Sequence, residues 1–278
     1  MKLESRWIDY DAEGARIPAY CVRASAAKER LPAVVVIQEA WGPDEHIQDV
    51  AERFAAAGYL ALAPDLFARD NTGGVMSAER IKQVRFFLDS LGPQAWGDPS
   101  LRDAALANLP GEQAEVIRET MSVLLTPNRP YDRYIADLRA AVSHLRSDAE
   151  CDGLVVSVGF CLGGGLSARL ACSEPALAAA VIFYGAAPPL DQVSSIECRV
   201  LGLYGAEHHR ITDGVGEFAS AMEAAAKSFE YKVYENAPHA FFNDTRPSYR
   251  PSAARAAWAR TLSFFATQLT DLFESDPA

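Results

Sequence analysis

The sequence predicts one α/β domain built on a mostly parallel, doubly wound sheet. Three observations carry this. Short continuous apolar runs recur, the mark of parallel strands covered on both faces. Amphipathic helical stretches alternate with them. The 278 residues, 49% hydrophobic and 23% charged, suit one large domain with a good core.

In chain order, 4–9 and 15–22 alternate weakly around the turn Asp11-Ala12-Glu13-Gly14, which predicts a hairpin at a sheet edge. Ala33-Val34-Val35-Val36-Ile37 is the first buried strand. A helix follows with Ile47, Val50, Ala51, Phe54 and Ala55 on one face, closed by Gly58. Leu60 to Pro64 is the next strand. Residues 67–130 break the rhythm: helical stretches near 78–91 and 111–125 are separated by Pro93, Pro99 and Pro110, with no buried strand. This is expected to be an insertion within a single domain spanning 1–278, capping the C-terminal strand ends.

An amphipathic helix then runs from Tyr131 to Arg146. Strands are expected at 154–158, 178–184, 200–204 and 229–234, and a helix at 214–226. A long final helix covers 252–273, with Ala257, Trp258, Leu262, Phe265, Leu269 and Leu272 on one face. Ligands of such sheets gather at the C-terminal strand ends.

The most informative stretch is Val155-Val156-Ser157-Val158-Gly159-Phe160-Cys161-Leu162-Gly163-Gly164-Gly165. A buried strand meets a glycine-framed turn and then a helical run from Leu166 to Cys172. The frame Gly159-x-Cys161-x-Gly163 is a cysteine form of the Gly-x-Ser-x-Gly nucleophile elbow, whose flanking residues must be small because backbones crowd there. No Gly-Lys-Ser/Thr follows, so the turn is not a phosphate-binding P-loop. The Cys161 thiol is expected at a helix N-terminus, where the dipole favours thiolate.

A thiol nucleophile needs a base. His239, in Pro238-His239-Ala240-Phe241, lies between the last strand and the last helix. His144 lies inside a helix and His46 at a helix start, while His208 and His209 are adjacent, so their side chains diverge. In nucleophile-elbow enzymes the carboxylate that orients the histidine lies between the two in sequence. That points to Gly205-Ala206-Glu207-His208-His209-Arg210-Ile211, where Glu207 is available and the usual Asp is absent.

Taken together, Gln38-Glu39-Ala40-Trp41-Gly42, Ala63-Pro64-Asp65-Leu66-Phe67-Ala68-Arg69, Gly159-Phe160-Cys161-Leu162-Gly163-Gly164, and Pro238-His239-Ala240-Phe241 with Tyr249 and the terminal helix resemble the dienelactone hydrolase family. The resemblance covers about 15–270 apart from the insertion. It implies an α/β-hydrolase fold and a Cys-His-Asp triad that opens lactones or esters through an acyl-thiol intermediate. It implies that Glu39 pairs with the thiol and helps to generate the thiolate. It implies an oxyanion hole from the backbone N–H groups of Leu162 and Ala40, worth about 3 kcal/mol per donor. It also implies arginines that hold a substrate carboxylate, for which Arg210 and Arg246 are candidates. The family's Gly-x-x-Asp-x-Arg-Ile places its acid at His208, so the chain departs from the pattern there; Glu207 serves only if the loop shifts by one residue, and Asp213 is more distant.

The expected activity is therefore cysteine-dependent hydrolysis of a small lactone or carboxylic ester. The alternatives are a thioesterase or acyl transferase with the same site, and a ligand-binding member weakened in catalysis. Net charge is −11 with no basic block, which argues against nucleic acid as a partner. No apolar run approaches a membrane span and the N-terminus lacks a signal-peptide core. The five scattered cysteines form neither a disulfide framework nor a zinc site. The expectation is a cytoplasmic enzyme with no metal, no cofactor and a small-molecule substrate.

Overall fold

The structure, a computed structural model, describes residues 1–275, and of Pro93 and 271–275 the backbone alone. Residues 276–278 of the expected domain and the Leu272 side chain lie outside the described residues. Strands β1 (Leu3–Ala12) and β2 (Ala15–Ala24) form the expected hairpin. There follow β3 (Leu31–Ile37), α1 (Glu45–Ala56) and β4 (Leu60–Pro64). The insertion holds α2 (Ala78–Leu91), α3 (Pro99–Leu106) and α4 (Gly111–Leu124), with short 3-10 turns at Ala68–Asp70, Thr72–Gly74 and Pro93–Trp96. Then come α5 (Tyr131–Ser147), β5 (Cys151–Phe160), α6 (Leu162–Ser173), β6 (Ala179–Phe183) and β7 (Arg199–Gly205). A 3-10 turn at Leu190–Ser195 lies between the last two. The chain closes with α7 (His209–Thr212), α8 (Val215–Ala224), β8 (Phe229–Tyr234) and α9 (Pro251–Ser275).

The eight strands form one sheet in the order β1-β2-β4-β3-β5-β6-β7-β8. β1 and β2 are antiparallel to their neighbours and every later pairing is parallel. This is the α/β-hydrolase fold. Alternation within the apolar runs serves two cores. Ala33, Val35 and Ile37 face a cluster with α5, α6, α8 and the insertion. Val34 and Val36 face a second cluster with α1 and α9. Both faces of β3 are thus buried, which explains why its sequence is uninterrupted rather than alternating.

Asp44 caps α1 by accepting from the Ile47 N–H at 3.2 Å, and the five predicted apolar residues of that helix are all buried. The insertion carries one helix more than the sequence periodicity gave. Asp98 caps α3 through the N–H groups of Ser100 and Leu101, with Pro99 in the first turn. A proline read as a breaker is here a helix starter. Among the described residues no helix is long and apolar enough to cross a membrane.

Candidate active site

β3, β5 and β7 end at one edge of the sheet, and the site forms there. Cys161 lies between β5 and α6 with φ 56° and ψ −113°, a conformation that costs a non-glycine residue about 1–3 kcal/mol. The neighbourhood over-determines it. Its N–H donates to the Phe183 carbonyl at 3.0 Å. A Cβ on Gly159 would lie 1.8 Å from the Gly163 carbonyl oxygen, and one on Gly163 would lie 2.3 Å from that of Ile37. Only hydrogen fits at either place, so the elbow geometry is forced by backbone contact.

His239 Nε2 lies 3.1 Å from Cys161 Sγ. On its other side, His239 Nδ1 lies 3.1 Å from His208 Nδ1. A thiol that donates to Nε2 requires that nitrogen to be bare, so Nδ1 carries the ring proton. His208 Nδ1 is then the acceptor, and its own proton is on Nε2. The place facing Nδ1 is held by a neutral ring, not by a carboxylate.

Glu207 is not brought to the histidine. Its N–H donates to the Ala237 carbonyl, and its side chain is exposed. The backbone bond fixes the register, so the one-residue shift that would present Glu207 does not occur. Asp213, the more distant candidate, pairs with His209 at 3.3 Å on the surface.

Glu39 is 3% exposed. Its two oxygens accept from the Tyr184 hydroxyl at 3.2 Å and the Asn243 amide at 2.8 Å. The structure thus gives Glu39 these two partners, while the thiol is directed to His239. Sequence reasoning missed both partners. Tyr184 follows β6, and Asn243 stands four residues beyond His239 in the same loop; the strand end for Tyr184 and the closeness to His239 for Asn243 were the available signals.

Burial pushes the Cys161 thiol up to about 12, with the Glu39 charge adding to the rise. The N–H groups of Leu162 and Ala40 and the Arg129 charge act in the opposite direction and lose. Burial thus opposes the thiolate that the helix N-terminus favours. Those two N–H groups are directed at the sulfur. Burial also pulls His239 down to about 3, helped by His208, Arg246 and Arg210. Both shifts favour a neutral thiol beside a neutral imidazole at rest.

Of the candidate arginines, Arg210 is exposed. Arg246 donates to Asp89 of α2 at 2.5 Å and its guanidinium lies 5.4 Å from the Trp41 ring centre. The insertion meets the strand ends again where Arg85 donates to Asp44 at 3.0 Å and where Trp96 meets Trp41 edge-to-face at 5.3 Å. Arg129, just before α5, is a cation the sequence analysis did not single out. Among the described residues no group of three or more His, Cys, Asp or Glu side chains is placed to hold a metal ion.

The profile of the dienelactone hydrolase family matches residues 17–269. A protein of Saccharolobus solfataricus named "Putative carboxymethylenebutenolidase" is 36% identical over 258 residues, covering 92% of this chain and 96% of its own. A Bradyrhizobium protein named "Probable 2-oxo-3-(5-oxofuran-2-ylidene)propanoate lactonase" is 29% identical, covering 93% and 92%. A crystal structure from Klebsiella pneumoniae titled as a "Putative Dienelactone Hydrolase" superposes with a TM-score of 0.71 at 30% identity, covering 96% of this chain and 99% of that one.

Proposed function

We propose a cysteine-nucleophile mechanism for this chain, which belongs to the dienelactone hydrolase family and is a hydrolase of lactones or carboxylic esters. Cys161 Sγ attacks the acyl carbon as His239 Nε2 takes its proton. The carbonyl oxygen, now negative, lies against the N–H groups of Leu162 and Ala40. Collapse of the tetrahedral intermediate expels the alkoxide, which His239 protonates, leaving a thioester on Cys161. Water, deprotonated by His239, then releases the acid. The single observation that carries this reading is the 3.1 Å approach of Nε2 to a sulfur held on a positive-φ elbow.

The neutral resting pair places proton transfer within the chemical step, so the thiolate forms as the bond to carbon forms. Glu39 contributes by tying the loop after His239 to the end of β3 through Asn243. The positive charges of Arg129, which acts on Cys161, and Arg210, which acts on His239, favour a substrate that bears a carboxylate, as a dienelactone does, while Arg246 is held by Asp89. Residues 67–130 cap the site from one side, fastened by the contacts of Arg246, Arg85 and Trp96. The five free cysteines fit a reducing, cytoplasmic setting.

Intact-mass measurement with an activated ester tests the mechanism: an acyl adduct is expected on Cys161. In Cys161→Ala the hydrolysis rate is expected to fall by about 10³-fold or more. Undiminished turnover in that variant would remove Cys161 as the nucleophile.

A further inference from the structure

The Nδ1–Nδ1 contact between His239 and His208 has no carboxylate in it, and this opens a route closed to an acid-bearing triad. We propose that His208 receives the positive charge generated in catalysis: as His239 Nε2 accepts the thiol proton, the proton bridging the two Nδ1 atoms passes to His208. The inference rests on the cysteine mechanism above and adds to it where the charge goes.

The proton count follows directly. At rest His208 carries a proton on Nε2, the bridge holds one, and His239 Nε2 is bare. In the step the S–H bond breaks and the Nε2–H bond of His239 forms. The Nδ1–H bond of His239 breaks and the Nδ1–H bond of His208 forms. The products are a sulfur nucleophile, a neutral His239 with its proton on Nε2, and a charged His208. His239 is then already in the tautomer that donates to the leaving alkoxide. When it does so, the bridging proton returns and both rings recover their resting forms. Deacylation repeats the cycle, with water as the proton source and the departing sulfur as its recipient.

The surroundings favour this division of labour. Two imidazoles have equal intrinsic proton affinity, whereas transfer from imidazolium to a carboxylate is uphill by more than two pH units. The groups acting on His239 are His208, Arg246 and Arg210, all opposing a charge on its ring, beneath the Tyr184 ring at 5.1 Å. Burial also lowers His208, with Arg210 and His209 of its own segment adding to the fall, but the fall is smaller than that of His239. His209 is itself paired to Asp213. Placing the charge on His208 moves it one ring further from the sulfur, onto the ring whose surroundings oppose it less. Excess acid loads a third proton on the pair, necessarily at His239 Nε2, so activity falls with a single-proton acid limb.

His208→Gln is the discriminating variant, because a glutamine oxygen accepts from Nδ1–H and preserves the tautomer yet takes no proton. Acylation is followed by burst kinetics in mixtures of light and heavy water. Wild type is expected to give a curved dependence on deuterium fraction, reporting two protons in flight. His208→Gln is expected to lose about 100-fold in kcat, with KM within about 3-fold, and to give a straight line. His208→Asp is expected to recover part of the rate and remain linear. Linear wild-type behaviour, or a glutamine variant that keeps wild-type kcat, would overturn the relay. Retained alkylation of Cys161 and unchanged circular dichroism show that each variant is folded. Failure of the parent mechanism is separately visible as turnover in Cys161→Ala.

Discussion

Nε2 of His239 faces a turn in which three stretches of backbone touch, while Nδ1 faces a surface loop held at a few points. On the first side the close approaches at Gly159 and Gly163 fix the Cys161 conformation, and two neighbouring glycines in the sequence announce it. On the second side the bond from Glu207 N–H to the Ala237 carbonyl, and that from the Thr212 hydroxyl to the Gly205 carbonyl at 2.7 Å, fix the register. No steric necessity there names the side chain that meets the histidine. Backbone crowding constrains sequence; a surface loop lets the partner's identity vary while keeping its place.

The comparison is broken most severely on the crowded side. Gly163→Ala puts a Cβ where the Ile37 and Gln38 carbonyls already are, at 2.3 and 2.5 Å. Destabilisation of about 4 kcal/mol is expected, seen as a melting temperature lower by roughly 10 °C, with activity lost alongside. A variant that melts like wild type would show that the elbow has slack that the contacts do not suggest.

The electrostatic contrast is next in size. With the Cys161 thiol near 12 and His239 near 3, alkylation of Cys161 by iodoacetamide is expected to quicken roughly tenfold per pH unit between pH 6 and 9. A plateau in that range would mean a resting thiolate–imidazolium pair instead. Because the Glu39 charge raises the thiol, Glu39→Gln is expected to move the same profile to lower pH. A shift to higher pH would instead support Glu39 as a promoter of the thiolate.

The smallest effect belongs to the exposed loop. Glu207→Gln is expected to leave kcat within about 2-fold of wild type, since its carboxylate makes no contact with His239. A 100-fold loss would return Glu207 to the acid position and require the loop to rearrange in solution.

The sheet and most of its helices were legible because periodicity and burial are local signals. The uninterrupted Ala33–Ile37 run and the Val155–Val158 run, broken only by Ser157, read as strands covered twice. The third helix of the insertion escaped notice because Pro99 both ends and begins helices, and only the Asp98 cap distinguishes the two. The arginines illustrate a different limit. Arg246 is only a candidate substrate ligand from its place near the histidine, and its ion pair to Asp89, 157 residues away, depends on where the insertion docks.

Sequence alone determined the fold class, the elbow, the thiol and its histidine, because each is written in short motifs whose chemistry or sterics leave little choice. Tertiary structure decided what those groups do at rest. It set the burial that favours a neutral thiol and imidazole, the Tyr184–Glu39–Asn243 contact, and above all the meeting of His208 with His239. That meeting joins residues 31 positions apart through one backbone register. Desolvation and side-chain aim are properties of the assembled loops, and no local pattern encodes them.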